Sequence, residues 1–212
     1  NGDGYDDLII GAFFADPNGN GSGSSYVVFG TGSAFAATVN LSTLNGTNGF
    51  RLDGVAASDY SGFSVSSAGD VNGDGYDDLI IGAFFADPNG NGSGSSYVVF
   101  GTGSAFAATV NLSTLNGTNG FRLDGEAAAD RSGWSVSSAG DINGDGYDDL
   151  IIGANYADPN GDKSGSSYVV FGKASAFAAT VDLSTLDGTT GFRLDGVAAS
   201  DYSGYSVSSA GD

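Results

Sequence analysis

Two nine-residue segments, Asp70-Val71-Asn72-Gly73-Asp74-Gly75-Tyr76-Asp77-Asp78 and Asp141-Ile142-Asn143-Gly144-Asp145-Gly146-Tyr147-Asp148-Asp149, place side-chain oxygens at positions one, three, five and nine. A backbone carbonyl is available at position seven, and the glycines between let the chain turn. This is an oxygen-only cage for a hard cation, with calcium its natural occupant. A third copy is divided between the chain ends: Asn1-Gly2-Asp3-Gly4-Tyr5-Asp6-Asp7 opens the sequence, and Asp212, the match of Asp70 and Asp141, closes it. One more residue would join the two pieces into a full loop, so about three calcium ions per chain are expected, the third completed by joined ends.

Other chemistry finds little support. A turn explains a lone Asn-Gly-Asp-Gly, but not three copies in one register, each placed before an apolar strand. EF-hand and dockerin loops need an acid at position twelve, where this chain has Ile81 and Ile152. With no His and no Cys, the sequence offers no obvious base, nucleophile or redox pair, and no enzyme activity is expected. Asp53, Asp124 and Asp195, and likewise Asp59, Asp130 and Asp201, recur outside the loops and are read as satisfying turn amides. Asp16, Asp87 and Asp158 precede prolines and are read as turn initiators.

The elements that hold these loops repeat. Asn1, Asn72 and Asn143 stand 71 residues apart, so the chain is three 71-residue repeats less one residue. The first two are nearly identical, with Val55/Glu126, Ser58/Ala129, Tyr60/Arg131 and Phe63/Trp134 among their differences. Within a period, Ser61–Ser66 alternates as a strand, and Leu79–Gly82 follows the loop as a strand buried on both faces. Ser96–Phe100 gives a third strand and Gly120–Asp124 a fourth, after a longer connection through Phe106, Val110, Leu112 and Leu115. The predicted fold is therefore all-β, built of four-stranded antiparallel meanders. A sheet of this size cannot bury both faces alone, so sheets must stack, and radial stacking makes them β-propeller blades. A straight β-solenoid is the rival, with coils usually shorter than this period.

Composition agrees. Gly contributes 37 residues and Asp 24, against one Glu and three Pro, so the chain is turn-rich with short β-branched and aromatic runs. A net charge of −19 opposes nucleic acid and anionic membranes. No apolar run is long enough to insert in a membrane. Without cysteine no disulfide can form, and metal can supply the cross-links instead. Modest calcium sites fill outside the cell rather than in the cytosol, which favours an extracellular, secreted or cell-surface location.

Ser61-Gly62-Phe63-Ser64-Val65, then Gly69 to Gly75, then Asp78-Leu79-Ile80-Ile81-Gly82-Ala83 resembles the FG-GAP repeat of integrin α-subunit propellers, with Gly-Phe at the first signature and Gly-Ala, lacking a proline, at the second. The resemblance recurs three times along the chain. It implies calcium held by Asp70, Asn72, Asp74, the Tyr76 carbonyl and Asp78, and by Asp141, Asn143, Asp145, the Tyr147 carbonyl and Asp149. The divided loop offers Asn1, Asp3, the Tyr5 carbonyl and Asp7, with Asp212 as first ligand if the ends meet. Asp6, Asp77 and Asp148, at position eight, are expected to point outward. Similar bacterial repeats in large secreted surface proteins match this composition better than an animal receptor does.

These readings divide the chain into blades at 1–60, 61–131 and 132–202, with 203–212 as the first strand of a shared or closing blade. The open, complementary ends imply self-association, giving a closed pair or a fibre. The expected role is a calcium-rigidified structural or adhesion segment; the alternatives are an accessory module of a secreted hydrolase and a purely architectural filament subunit. A protein or glycan ligand is expected on the face opposite calcium, where the repeats diverge: Phe84-Phe85 becomes Asn155-Tyr156, Asn91-Gly92 becomes Asp162-Lys163, and Tyr60, Arg131 and Tyr202 alternate. The competing reading packs Phe13, Phe14, Phe84 and Phe85 against the next blade.

Overall fold

The computed structural model describes residues 1–211 and is all-β, apart from three single-turn 3-10 segments. Asp212, the proposed first ligand of the divided loop, lies outside the described residues.

The first sheet contains β1 (Leu8–Ala12), β2 (Ser24–Val28) and β3 (Gly49–Asp53) as an antiparallel meander. The second contains β4 (Ser64–Gly69), β5 (Asp78–Ala83), β6 (Ser95–Val99) and β8 (Gly120–Asp124). The third contains β9 (Ser135–Gly140), β10 (Asp149–Ala154), β11 (Ser166–Val170) and β13 (Gly191–Asp195). The first strand of the meander begins later than the Ser61–Ser66 expected from alternation. Tyr60 and Gly62 have left-handed φ of 54° and 83°, and the Phe63 amide bonds back to the Tyr60 carbonyl at 3.2 Å, so this stretch is a turn before β4. Residues 203–211 carry no named strand, only an isolated bridge between Gly165 and Ser203.

The long connection supplies two further strands. β7 (Thr109–Asn111) leaves its own repeat and pairs in parallel with β3, and β12 (Thr180–Asp182) pairs in parallel with β8. The first and second sheets thus each receive an outer strand from the repeat that follows. Aromatic packing fixes the exchange: the Phe106 ring stacks on Phe50 at 4.2 Å, and Phe177 on Phe121 at 4.2 Å. Leu112 and Leu183, just beyond β7 and β12, are buried in the same contacts. In the first repeat Phe35, the match of Phe106, and Val39, the match of Val110, are exposed, and Leu41, the match of Leu112, is half-buried.

The core lies between sheets. Ile81 of β5 packs with Val27, Phe50 and Leu52 of the first sheet, while Ile80 joins Val136, Leu150 and Ile152 on the third-sheet side. This double burial explains why the Leu-Ile-Ile run lacks alternation. The signature glycines let the sheets meet: a Cβ on Gly82 would stand 2.1 Å from the Gly133 carbonyl oxygen, and one on Gly11 would press on the Gly62 carbonyl.

Candidate metal centre

Each acidic loop joins the first and second strands of its meander, between β4 and β5 and between β9 and β10. Asp70 accepts hydrogen bonds from the amides of Gly73 at 2.7 Å, Asp74 at 3.1 Å and Gly75 at 2.8 Å. Asn72 Oδ1 accepts from the Asp74 amide at 2.8 Å, its Nδ2 donates to Asp74 Oδ2 at 3.1 Å, and Asp74 Oδ1 accepts from the Tyr76 amide at 3.0 Å. Left-handed φ values at Gly73 and Gly75, 73° and 89°, let these amides turn inward. The second loop repeats this pattern bond for bond, with Asp141 accepting from Gly144, Asp145 and Gly146. At the N-terminus Asn1, Asp3 and Tyr5 make the corresponding bonds, and Asp7 accepts from the terminal ammonium at 3.3 Å.

Position nine is set apart. Asp78 is fully buried, accepting from the Val71 amide at 3.1 Å and the Gly101 amide at 2.8 Å. Burial pushes its carboxyl up to about 7 despite those amides, and the charges of Asp74 and Asp70 add to the rise. Asp149, bonded to the amides of Ile142 and Gly172, is raised for the same leading reason. Neither has a Lys or Arg partner among the described residues. The donor set therefore suits a hard divalent cation: it is all oxygen, and its buried carboxylate lacks a counter-charge. The carboxylates are turned onto loop amides, and among the described residues no three acidic groups converge at metal-binding separation. Holding an ion requires some of them to exchange an amide for it.

Other acidic residues fall into place. Asp59, Asp130 and Asp201 cap the turn amides of Ala56, Ala127 and Ala198, as read from sequence. Asp16, Asp87 and Asp158 likewise accept from amides five residues on. Asp53, Asp124 and Asp195 instead pair with arginines two residues before them, Arg51 Nη2 with Asp53 at 2.8 Å and Arg122 Nη2 with Asp124 at 2.7 Å, while Ser24, Ser95 and Ser166 donate to the same carboxylates. Residues i and i+2 share one face of a strand, a pairing signal present in Arg-Leu-Asp. Asp148 also departs from expectation, being half-buried against the neighbouring loop, whereas Asp6 and Asp77 are exposed.

At the opposite ends of the strands lies an aromatic belt. Phe84 is buried between Phe63 at 4.5 Å and Trp134 at 4.9 Å, so it packs across sheets, while Phe14 remains 70% exposed. The Arg131 guanidinium sits 3.7 Å from the Tyr156 ring centre and is flanked by Phe85 and Trp134. Asn155, replacing the phenylalanine of the other repeats, is fully buried with neither amide atom hydrogen-bonded within the described residues.

The FG-GAP repeat family matches residues 61–99 and 132–170, segments that contain both complete acidic loops. The chain is 31% identical over 163 residues to integrin alpha-PS2 of Drosophila melanogaster, covering 74% of this chain and 11% of that protein. Similarity to integrin alpha-7 of Homo sapiens is 31% over 156 residues, covering 73% and 11% respectively. Integrin alpha pat-2 of Caenorhabditis elegans is 29% identical over 157 residues, covering 73% and 12%. The chain thus spans about a tenth of the length of these relatives. It carries integrin-like FG-GAP repeats, and its sheets are β-propeller blades.

Proposed function

We propose that this FG-GAP segment is a non-enzymatic, calcium-stabilised adhesion or structural module that works outside the cell. The observation that carries the calcium reading is Asp78: a carboxylate with no exposed surface, beside Asp70 and Asp74, with no cationic side chain among the described residues to neutralise it. Asp70, Asn72, Asp74, the Tyr76 carbonyl and Asp78 would hold one ion, and their counterparts from Asp141 to Asp149 a second. Asn1, Asp3, the Tyr5 carbonyl and Asp7 would contribute to a third, completed by an Asp in the place of Asp212. Calcium supplies the divalent charge that turns mutual repulsion of the loop carboxylates into a fixed link between the first two strands. No helix among the described residues is long and apolar enough to cross a membrane.

Thermal unfolding with calcium and with excess chelator tests this. Calcium at 100 times its dissociation constant stabilises by about 2.7 kcal/mol per filled site, so chelation is expected to lower Tm by many degrees. Equal melting in the two conditions would overturn the reading.

One observation favours a ligand face on the aromatic belt. Arg131, Trp134, Tyr156 and Lys163 all depart from the residues of the other repeats and gather at one seam between the second and third sheets. We assign this seam to contact with a protein or glycan. The uncovered outer sheets, with Leu8 63% and Leu194 48% exposed, are assigned to packing against like sheets of a second copy. A strictly monomeric mass in calcium would count against that assignment.

A further inference from the structure

The two complete acidic loops touch each other. Asp148 Oδ2 accepts a hydrogen bond from the Asp70 amide at 2.9 Å, and the Asp148 amide donates to the Asp70 carbonyl at 3.2 Å. The Tyr147 ring lies over Gly73, where a Cβ would come within 2.3 Å of a ring carbon. Beside them the Lys173 amide donates to the Val71 carbonyl at 2.9 Å. Asp148 is not one of the proposed ion donors, and it is half-buried against the Asp70 main chain.

We infer that Asp148 is a positioning residue through which the loop from Asp141 to Asp149 sets the calcium affinity of the loop from Asp70 to Asp78. The inference rests on the calcium reading. Asp148 stands between Tyr147 and Asp149, two proposed donors of its own loop, so ordering that loop fixes the residues on either side of it. Through its paired hydrogen bonds it then holds the main chain of Asp70, position one of the other loop. A site whose first donor is already fixed loses less conformational freedom on binding, and its affinity rises. Linkage makes the coupling reciprocal: filling either loop favours the other.

Calorimetric calcium titration of the full chain and of Asp148→Ala tests the energetics. The expected result is about a tenfold fall in the affinity of the second calcium ion to bind, whichever loop fills first, as reciprocal coupling requires; this is the usual scale for a hydrogen bond to a charged group. Asp148→Asn, which keeps a side-chain oxygen acceptor, is expected to lose less, and it carries the test should the alanine variant lose its β-sheet circular dichroism. Amide hydrogen exchange gives a local readout. In Asp74→Ala, whose first loop lacks its position-five donor, calcium should still slow exchange at the Asp70 amide, and adding Asp148→Ala should abolish the effect. Calcium uptake at both loops of the parent with unchanged affinities in Asp148→Ala, or no calcium effect on the Asp70 amide in Asp74→Ala, overturns the coupling alone. A parent chain that takes up no calcium overturns the coupling together with the proposed function.

Discussion

Asp130 shows what a buried carboxylate costs this fold away from the acidic loops. Its side chain accepts from the Ala127 amide at 3.2 Å, but burial dominates and pushes its pKa from 3.8 up to about 6. The folded-state value lies above the unfolded one, so its stabilising contribution is complete below about pH 4 and is lost as pH rises through about 6. Asp130→Asn keeps an acceptor for the amide and removes the titration. Denaturant melts are expected to show the variant gaining on the parent as pH climbs over that window, with the gap closing again in acid. The periodic donors at positions one, three, five and nine were legible in the sequence because ligand spacing is local. The Asp148 contact was not, because its partner Asp70 is 78 residues away and pattern alone does not bring two loops together.

Two kinds of contact join one sheet to the next, and each gives a prediction. Gly82 has no room for a methyl group against the Gly133 carbonyl, so Gly82→Ala must move the second sheet from the third. Overpacking of this kind costs about 1–3 kcal/mol or more, to be read as a fall in urea midpoint. Phe177→Ala removes a buried ring stacked on Phe121 and should cost about 3–5 kcal/mol. Phe35→Ala, at the equivalent but 53% exposed position of the first repeat, should change stability by under about 0.5 kcal/mol. Sequence patterning revealed the strands of each meander, through the Leu-Ile-Ile and Tyr-Val-Val runs. It did not reveal β7 and β12, because a three-residue strand has too short a pattern to stand out and its pairing partner lies in another repeat.

At the scale of the molecule, a charge of −19 makes the chain repel itself. Chelator-treated protein is therefore expected to gain Tm steadily as sodium chloride is added, while calcium-treated protein gains less; parallel salt series by scanning calorimetry would reveal this. The stacking rule was visible in the 71-residue period, since one meander cannot cover both its faces. The uneven exposure, with Leu8 and Leu194 exposed where Leu79 is half-buried and Leu123 fully covered, follows from the same rule. The exchange of β7 into the first sheet has a mechanical consequence. Because β3 and β7 run parallel, tension on the two chain ends drags them along their length in opposite directions. Their hydrogen bonds are then loaded together rather than unzipped one at a time. A pull along the chain would meet its resistance at these overlaps, as a lapped joint resists sliding better than peeling.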